Sequence, residues 1–570
     1  MLFGTRGDAV PAPELDDLPE GTVVRRFRQG EASQRQVLAT PGSGLARIWG
    51  LVERHHLRVA WPDAAWAEVA ALSTAPGIDD PSLVDLEALP FCTIDNSDSR
   101  DLDQALHLAR APGGGHVARY ALADAAHYVQ AHGALFAEGT LRGASFYLPG
   151  LSVPMLPRAL SEGLVSLNPD VPRRAVVFTM ELDAEGRVTG VRVERARIRS
   201  RAKLSYDGVQ RFYDDPAAHP LPAAELRESL ELLRVVGGQR QALARLRDVV
   251  DYERIGADVA LAPGGGPGLE LVTDSRLEVE RHNEQLSLMC NIEGAKLLAR
   301  AMGPRARLLQ AVYRVHEAPP PERLAELAES IEAIITAHGL DRERFAWRRA
   351  SDGDHEPLSD YLTRLPRDAE HARLRAALER QVRLTNVRSL FAATPGQHYA
   401  LGVEGYARFS APMREIAGIF THKEALELLG LAPPDQDTAA DAALREAVIE
   451  AANRSKEVQS QLTKDAYKLA IDDLLAGDLA PEADERPLRV GTVLGATPTK
   501  LYVRLDEPPI ELKVYAEDLA RAWQTTTRPL PGASGIAAAD GSARFVAGDA
   551  IGLRASELDP QRDRWHFDVV

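Results

Sequence analysis

Residues 93–106 read TIDNSDSRDLDQAL, which sets four carboxylates, Asp95, Asp98, Asp101 and Asp103, in one short run with Arg100 as its only basic residue. Like charges this close repel. Four arrangements relieve the repulsion: a shared divalent cation, a neutralising cluster of Arg or Lys, a helix N-terminus, or plain solvation. The apolar flanks PFCTI and ALHLA place the run within folded structure rather than in a floppy acidic tail. Of the four arrangements, the cation carries chemistry. Magnesium takes hard oxygen ligands and keeps several waters, so two or three carboxylates suffice. A pair of such ions drives in-line displacement at phosphorus, one activating water and the other stabilising the leaving oxygen. Asp101 and Asp103 share a side if the backbone there is extended. Spacing alone leaves the metal site and the ordinary acidic loop both open.

The elements that must hold such a site belong to a chain of 570 residues, long enough for several domains with a core each. The formal net charge of -16 excludes non-specific nucleic-acid binding by bulk charge, so a polyanion would be held by local basic patches or by metal ions. Two cysteines, Cys92 and Cys290, exclude a disulfide scaffold and a cysteine-rich zinc site and fit a reducing compartment. The opening MLFGTRGDAVPAPELDD lacks the apolar centre of a secretion signal, and no run of about 18 apolar residues is present. These features predict a soluble, cytoplasmic, monomeric protein without membrane contact and point to no particular protein partner.

Patterning divides the chain into a small N-terminal domain (1–85), a large central domain (86–480) and a C-terminal domain (485–570). In the first, GLARIWGLVERHHL spaces Leu45, Ile48, Leu51 and Val52 on one helical face and DAAWAEVAALS reads as a second helix, so a helical or winged-helix-like domain is expected, either an accessory element or a nucleic-acid reader. The centre mixes strand-like runs (ARYALADA, AVVFTMELDA, GVRVERARI) with helices over QLSLMCNIEGAKLLARAM, over PPERLAELAESIEAIITAHG, which Gly339 terminates, and over 436–478. GGGPG at 264–268 reads as a flexible loop or hairpin turn. From about Glu485 the period becomes two, and about five short strands fit an OB-type β-barrel. There Tyr502 and Arg504 share one strand face, as do Lys513 and Tyr515, the interleaving that stacking on single-stranded bases requires; an ordinary amphipathic strand pair fits the residues equally well.

Further motifs accompany the aspartates: SFYLPGLSVPMLPRALSEGLVSLNP (145–169), RIRSRAKLSYDGV (197–209), NEQLSLMCN (283–291) and HYALGVEGYARFSAPMREIAGIFTHK (398–423). In order and rough spacing these resemble ribonuclease II and ribonuclease R, the RNB family of 3′-to-5′ exoribonucleases, across about residues 90–430. The resemblance implies a multidomain α+β protein with a central mixed α/β RNB domain ending in a long helix, then an RNA-binding OB-fold. It also implies a magnesium-dependent hydrolase that degrades single-stranded RNA processively to nucleoside 5′-monophosphates. One Mg²⁺ is expected, a second is possible, and Mn²⁺ is a plausible substitute. By the same resemblance Asp95, Asp101 and Asp103 match the metal-site carboxylates, with Asp103 at the position most tied to catalysis. Tyr147 matches the aromatic next to the 3′-terminal nucleotide, Tyr206 a second active-site tyrosine, and Arg414 the arginine that grips the scissile phosphate. Glu284 lies within one residue of the family's acidic helix position. Taken singly, Tyr147 and Tyr206 also read as core tyrosines and Arg414 as an ion pair with Glu415.

The chain departs from the family pattern in four places. Gln104 stands where the family has a fourth aspartate, with Asp98 as a conceivable substitute. The family's S-P-I-R-R-Y run appears as Ala411–Ile416, with Glu415 replacing an arginine. ADVALAPGG lacks the phenylalanine often found to clamp the terminal base. The lead is too short for two cold-shock domains, so a different N-terminal element must shape RNA entry. The basic run RVERARIRSRAK reads either as an RNA-backbone contact or as a solvated strand face. Two rival functions follow from these departures: a non-cutting RNA-binding scaffold, and a regulator that binds nucleic acid through its N-terminal domain.

Overall fold

The computed structural model describes all residues except 1, 4–8, 11–17, 30–31, 248, 250–255, 275, 301–308, 349–355 and 435–437. Most of the Pro- and Asp-rich lead lies outside the described residues. The chain forms two compact units. One comprises Met1–Arg247, Arg276–His316 and Ser389–Asp465; the other comprises Asp248–Ser275, Glu317–Arg388 and Ala466–Val570. The long helix predicted over 436–478 spans Thr438–Leu479 and contributes residues to both.

At the centre of the first unit is a six-stranded sheet. Across it the strands run Pro172–Leu182, His116–Ala123, Gln104–Arg110, Phe91–Asp95, Val188–Ser205 and Val84–Asp85. The 18-residue strand Val188–Ser205 pairs antiparallel with Pro172–Leu182 along its first part and parallel with Phe91–Asp95 along its last, so the ladder returns on itself. Helices cover both faces. Cys92, Ile94, Leu106, Leu108 and Phe178 pack with the helices Arg227–Arg245 and Glu278–Ala299. Phe91, Leu102, Ala105, Val177 and Ile198 pack toward the helices Ala134–Arg142 and Ile416–Leu428. With both faces covered, Phe91–Ile94 is continuously buried rather than alternately buried and exposed. The helix predicted over 285–302 runs Glu278–Ala299, and the last two residues of that expectation lie outside the described residues.

In the long strand, Ala196, Ile198, Ser200, Ala202 and Leu204 alternate inward, which sends the arginines to the other face. On that face the arginines of RVERARIRSRAK are engaged by acidic side chains of the chain itself. Arg195 pairs with Asp124 at 3.1 Å, Arg197 with Asp85 at 2.9 Å, Arg199 with Glu87, and Arg201 with Glu225 at 3.2 Å.

The N-terminal zone holds a hairpin, Val23–Gln29 with Ala32–Ala39, followed by the two expected helices, Gly44–Arg54 and Asp63–Thr74. Ser43 caps the first helix by accepting the Ala46 N–H at 3.2 Å. Ile48, Leu51 and Val52 are buried, as their spacing predicted.

The second unit contains a five-stranded antiparallel sheet in the order Glu511–Tyr515, Lys500–Leu505, Arg489–Thr497, Ala550–Asp559, Arg564–Val569. Leu501, Val503, Leu505, Leu512 and Val514 form its core, matching the period-two reading. The helix Ala372–Thr385 packs on this sheet: Gln381 donates to the Leu494 carbonyl at 2.7 Å, and Arg380 pairs with Glu511 at 3.0 Å. Gly339, in the left-handed region with φ 64°, ends the helix Pro321–His338 as expected. The GGGPG stretch is the hairpin turn between Gly256–Leu261 and Leu269–Asp274. Among the described residues no helix is long and apolar enough to cross a membrane.

Three buried histidines of the first unit, His107, His398 and His422, are each pushed down to about 4, chiefly by burial. In the unfolded chain such groups take up a proton near pH 6.5, whereas these resist protonation until about pH 4. The unfolded state therefore binds more protons across that window, so stability is lost as pH falls from about 6.5 toward 4. Thermal unfolding followed from pH 7.5 to 4.5 should show Tm falling through this range, and His422→Gln should flatten part of the fall. A Tm independent of pH above 4.5 would contradict the burial assigned here.

Candidate active site

Asp95 ends the strand Phe91–Asp95 and pairs in parallel register with Ser205, the residue before Tyr206. Parallel pairing thus puts Asp95 and Tyr206 at the same end of the sheet. Ser205 caps the helix Tyr206–Asp214 by accepting the Gly208 N–H at 3.0 Å, and Asn283 donates to the Tyr206 hydroxyl at 3.2 Å. Burial is the chief reason that the Tyr206 phenol titrates above its ordinary value, and the Asp95 charge adds to the effect.

The loop from Asp95 to Asp103 is tied down along its length. Asp95 accepts the Asn96 N–H at 2.8 Å and the Ser99 hydroxyl at 2.9 Å. Lys203, the last cation of the basic run, donates to the Ser97 carbonyl at 2.9 Å and also to that of Ser99. Ser166 accepts the Leu102 N–H at 3.0 Å and donates to the Arg100 carbonyl at 2.9 Å.

Asp103 directly precedes the strand Gln104–Arg110 and is 1% exposed. One of its oxygens accepts the Met413 N–H at 2.8 Å and the other accepts from Nε of Arg414. Burial pushes its carboxyl up to about 6; Arg414 and the Met413 N–H oppose the shift, and the Asp101 charge adds to it. The segment that carries Arg414 also positions Tyr147: the Ser145 N–H donates to the Arg414 carbonyl at 2.8 Å, and the Ile416 N–H to that of Gly143 at 3.0 Å. The Tyr147 hydroxyl donates to Asp101, while the residue is 49% exposed.

These groups surround a cavity of about 500 Å³ lined by Asp95, Asp98, Asp101, Tyr147, Arg158 and Arg414. Asp103 reaches it through Arg414. The three predicted metal carboxylates do not bring one oxygen each within 4.8 Å of the others; among the described residues such clusters occur at Asp368, Glu370, His371 and at Glu424, Glu427, Asp441. Each of the three is instead partnered within the chain. The donor set still suits magnesium, because every side chain it offers presents a hard carboxylate oxygen.

The structure thus brings together Asp95, Asp101, Asp103, Tyr147, Tyr206 and Arg414. It does not bring Glu284 among them. Glu284 faces Arg276 at 2.8 Å, and it is the neighbouring Asn283 that bonds Tyr206. The pairing of Arg414 with Glu415 is likewise corrected: Glu415 is buried between Arg408 at 3.2 Å and Lys456 at 2.8 Å, and these cations hold its carboxyl well below the usual range against the cost of burial. Gln104 accepts from the buried Tyr120 hydroxyl at 2.5 Å. Tyr502, Arg504, Lys513 and Tyr515 belong to the second unit. There the Arg380 guanidinium lies 4.2 Å over the Tyr502 ring and that of Arg564 lies 4.5 Å over Tyr515, while Arg504 is half-buried and Lys513 exposed. The open stacking face expected for Tyr502 and Tyr515 is therefore occupied in part by the chain's own arginines. The sequence reading missed Asn283, Ser166, the Met413 N–H and the role of Lys203. All four lie within stretches already singled out, but their contacts reach residues distant in the chain.

The family model described as the RNB domain matches residues 83–429. The chain belongs to the RNB family. Ribonuclease R of Escherichia coli is 28% identical over 431 residues, which are 75% of this chain and 50% of that protein, so the chain spans about half the length of this RNB relative. Among solved structures, Mycoplasma genitalium RNase R in complex with ribose-methylated single-stranded RNA superposes with a TM-score of 0.81 at 20% identity, covering 94% of this chain and 80% of that one. Yeast Ssd1, a pseudonuclease, superposes at 0.61 with 14% identity, covering 94% and 62%. These likenesses establish a mixed α/β multidomain RNB fold similar to that of RNase R.

Two outcomes test the geometry. Glu415→Gln leaves Arg408 and Lys456 without their buried counter-charge and should cost about 3 kcal/mol of stability in chemical denaturation; a cost below about 1 kcal/mol would mean that this acid is not buried between them. Lys203→Ala should loosen the loop at Ser97–Ser99, detected as faster amide exchange confined to residues 96–102. Unchanged exchange there would contradict the tether.

Proposed function

We propose that the chain is a hydrolytic exoribonuclease that removes nucleoside 5′-monophosphates one at a time, and processively, from the 3′ end of single-stranded RNA. The observation that carries this reading is the buried Asp103–Arg414 pair behind a cavity that also offers Asp95, Asp101 and Tyr147, in a chain of the RNB family. Asp95, Asp101 and Asp103 would hold magnesium, or manganese in its place, which supplies a Lewis acid that activates water and neutralises phosphate charge. One ion is expected; a second depends on Asp98 or Gln104.

The chain's own residues do the rest. Arg414 spends Nε on Asp103, which leaves the other donors of its planar fork for the non-bridging oxygens of the last phosphodiester. Tyr147, half exposed at the cavity, takes the terminal nucleotide against its ring, and its hydroxyl on Asp101 fixes the ring's direction. Tyr206, steadied by Asn283, closes the Asp95 side. The water oxygen bonds to phosphorus as the bond from phosphorus to the upstream 3′ oxygen breaks, and the proton lost by water ends on that oxygen. The phosphate therefore leaves on the 5′ carbon of the released nucleotide. Charge building on the phosphate meets Arg414 already in place, which is where preorganisation lowers a barrier.

Around this centre we read 1–85 as an accessory domain, 86–480 as the catalytic domain and 485–570 as an OB-type RNA-binding domain in which exposed Lys513 is the most available contact. Both cysteines are buried and free, which suits the cytoplasm. Deleting 485–570 is not a clean test of RNA binding, because Leu501, Val503 and Val514 are core residues of a unit that also includes 317–388.

RNA labelled at its 3′ end should release labelled mononucleotide from the outset when magnesium is supplied. Asp103→Asn should slow this by about a hundredfold or more while RNA still binds. Gln104→Asp, which restores a charged oxygen at its position, should lower the magnesium concentration needed for half-maximal rate. RNA binding without any product would instead support the scaffold reading, which the neutral Gln104 favours.

A further inference from the structure

A second groove adjoins the active cavity. The N-terminal hairpin and helices form one side and the segment Leu151–Arg158 the other, enclosing about 590 Å³. Leu151, Ser152, Pro154 and Arg158 line both spaces, so one short segment is their common wall. Three tryptophans, Trp49, Trp61 and Trp66, line the groove. Trp49 is buried, whereas Trp66, on the helix Asp63–Thr74, is 46% exposed.

The groove is built rather than incidental. The guanidinium of buried Arg142 lies 3.5 Å over the Trp61 ring. Arg142 pairs with Glu138 at 3.1 Å and also donates to the carbonyls of Arg58, Ala60 and Pro154. One side chain thus fixes the N-terminal segment and the common wall to each other. Glu68, on the same helix as Trp66, accepts the N–H groups of Ala134 and Leu135 and so anchors that helix to the one carrying Arg142. Little order has to be gained on binding. At the edges stand Arg25, exposed on the hairpin, and Arg158, which also bonds Ser152 and pairs with Glu162.

We propose that this groove holds unpaired bases of the RNA strand upstream of its 3′-terminal nucleotide, stacked on Trp66, with Arg25 and Arg158 toward the phosphates. The proposal rests on the reading of the neighbouring cavity as the site of hydrolysis. A strand that leaves the cavity across Leu151–Pro154 enters the groove directly. An aromatic face flanked by arginines takes any base, because every base has a π-face, and it tracks the backbone by charge. A duplex keeps those faces within its own stack, so the site selects single strands without reading sequence.

The test uses the full chain carrying Asp103→Asn, so that RNA is not consumed, and measures affinity for single-stranded oligomers of increasing length, for a dinucleotide and for a blunt duplex. Adding Trp66→Ala should weaken binding of the longer single strands roughly tenfold and leave the dinucleotide and the duplex unaffected. Trp66→Phe should recover most of the loss, which separates stacking from misfolding. Equal weakening for every ligand, or none for the long strands, overturns the groove as a strand site. Failure of the Asp103→Asn chain to bind any RNA overturns the reading of the cavity first and the groove with it.

Discussion

A carboxylate with 1% exposure is costly, and Asp103 is tolerated because Arg414 and the Met413 N–H meet its two oxygens. Much of the surrounding structure serves that contact. The ladder delivers Asp103 to the start of a strand. Backbone bonds from Ser145 and Ile416 hold the Arg414 segment against the stretch that carries Tyr147. Glu415 is drawn off by Arg408 and Lys456, so the acid next in sequence does not compete for Arg414. Even so, Asp103 stays hard to ionise. Burial is the reason, and the ion pair offsets only part of its cost.

What could be read from the sequence follows from the range of the interactions involved. The aspartate cluster was legible because its residues are neighbours in the chain, and Tyr206 because its motif is local. The period-two strands Lys500–Leu505 and Glu511–Tyr515 declared themselves through alternating apolar residues, which the structure buries. The fate of the arginines in RVERARIRSRAK was hidden, since their partners Asp85, Glu87, Asp124 and Glu225 lie in distant segments. The covering of Tyr502 by Arg380 was hidden for the same reason. Glu284 and Asn283 illustrate a finer limit: one residue on a helix turns a side chain by about 100°, and a helix buried around most of its circumference shows no stripe to fix the register. The N-terminal hairpin was missed because RRFRQ and ASQRQ lack apolar alternation.

The two units also show why linear domain boundaries describe this chain incompletely. The C-terminal sheet packs with a helix from residues 372–385, far upstream, through Gln381, Arg380 and Arg373, which pairs with Asp506. Segments separated in sequence therefore share one core, and a cut at residue 485 would expose it. Within the first unit the N-terminal elements are held by Glu68 and Arg142, and they line a groove beside the active cavity.

The central claim is that water attacks the last phosphodiester at this centre. The most direct measurement is digestion of single-stranded RNA in ¹⁸O-water with magnesium, followed by mass spectrometry of the products. The account predicts one ¹⁸O per released nucleotide, on its 5′-phosphate. Label on a 3′-phosphate, unlabelled products, or no mononucleotides at all would contradict it.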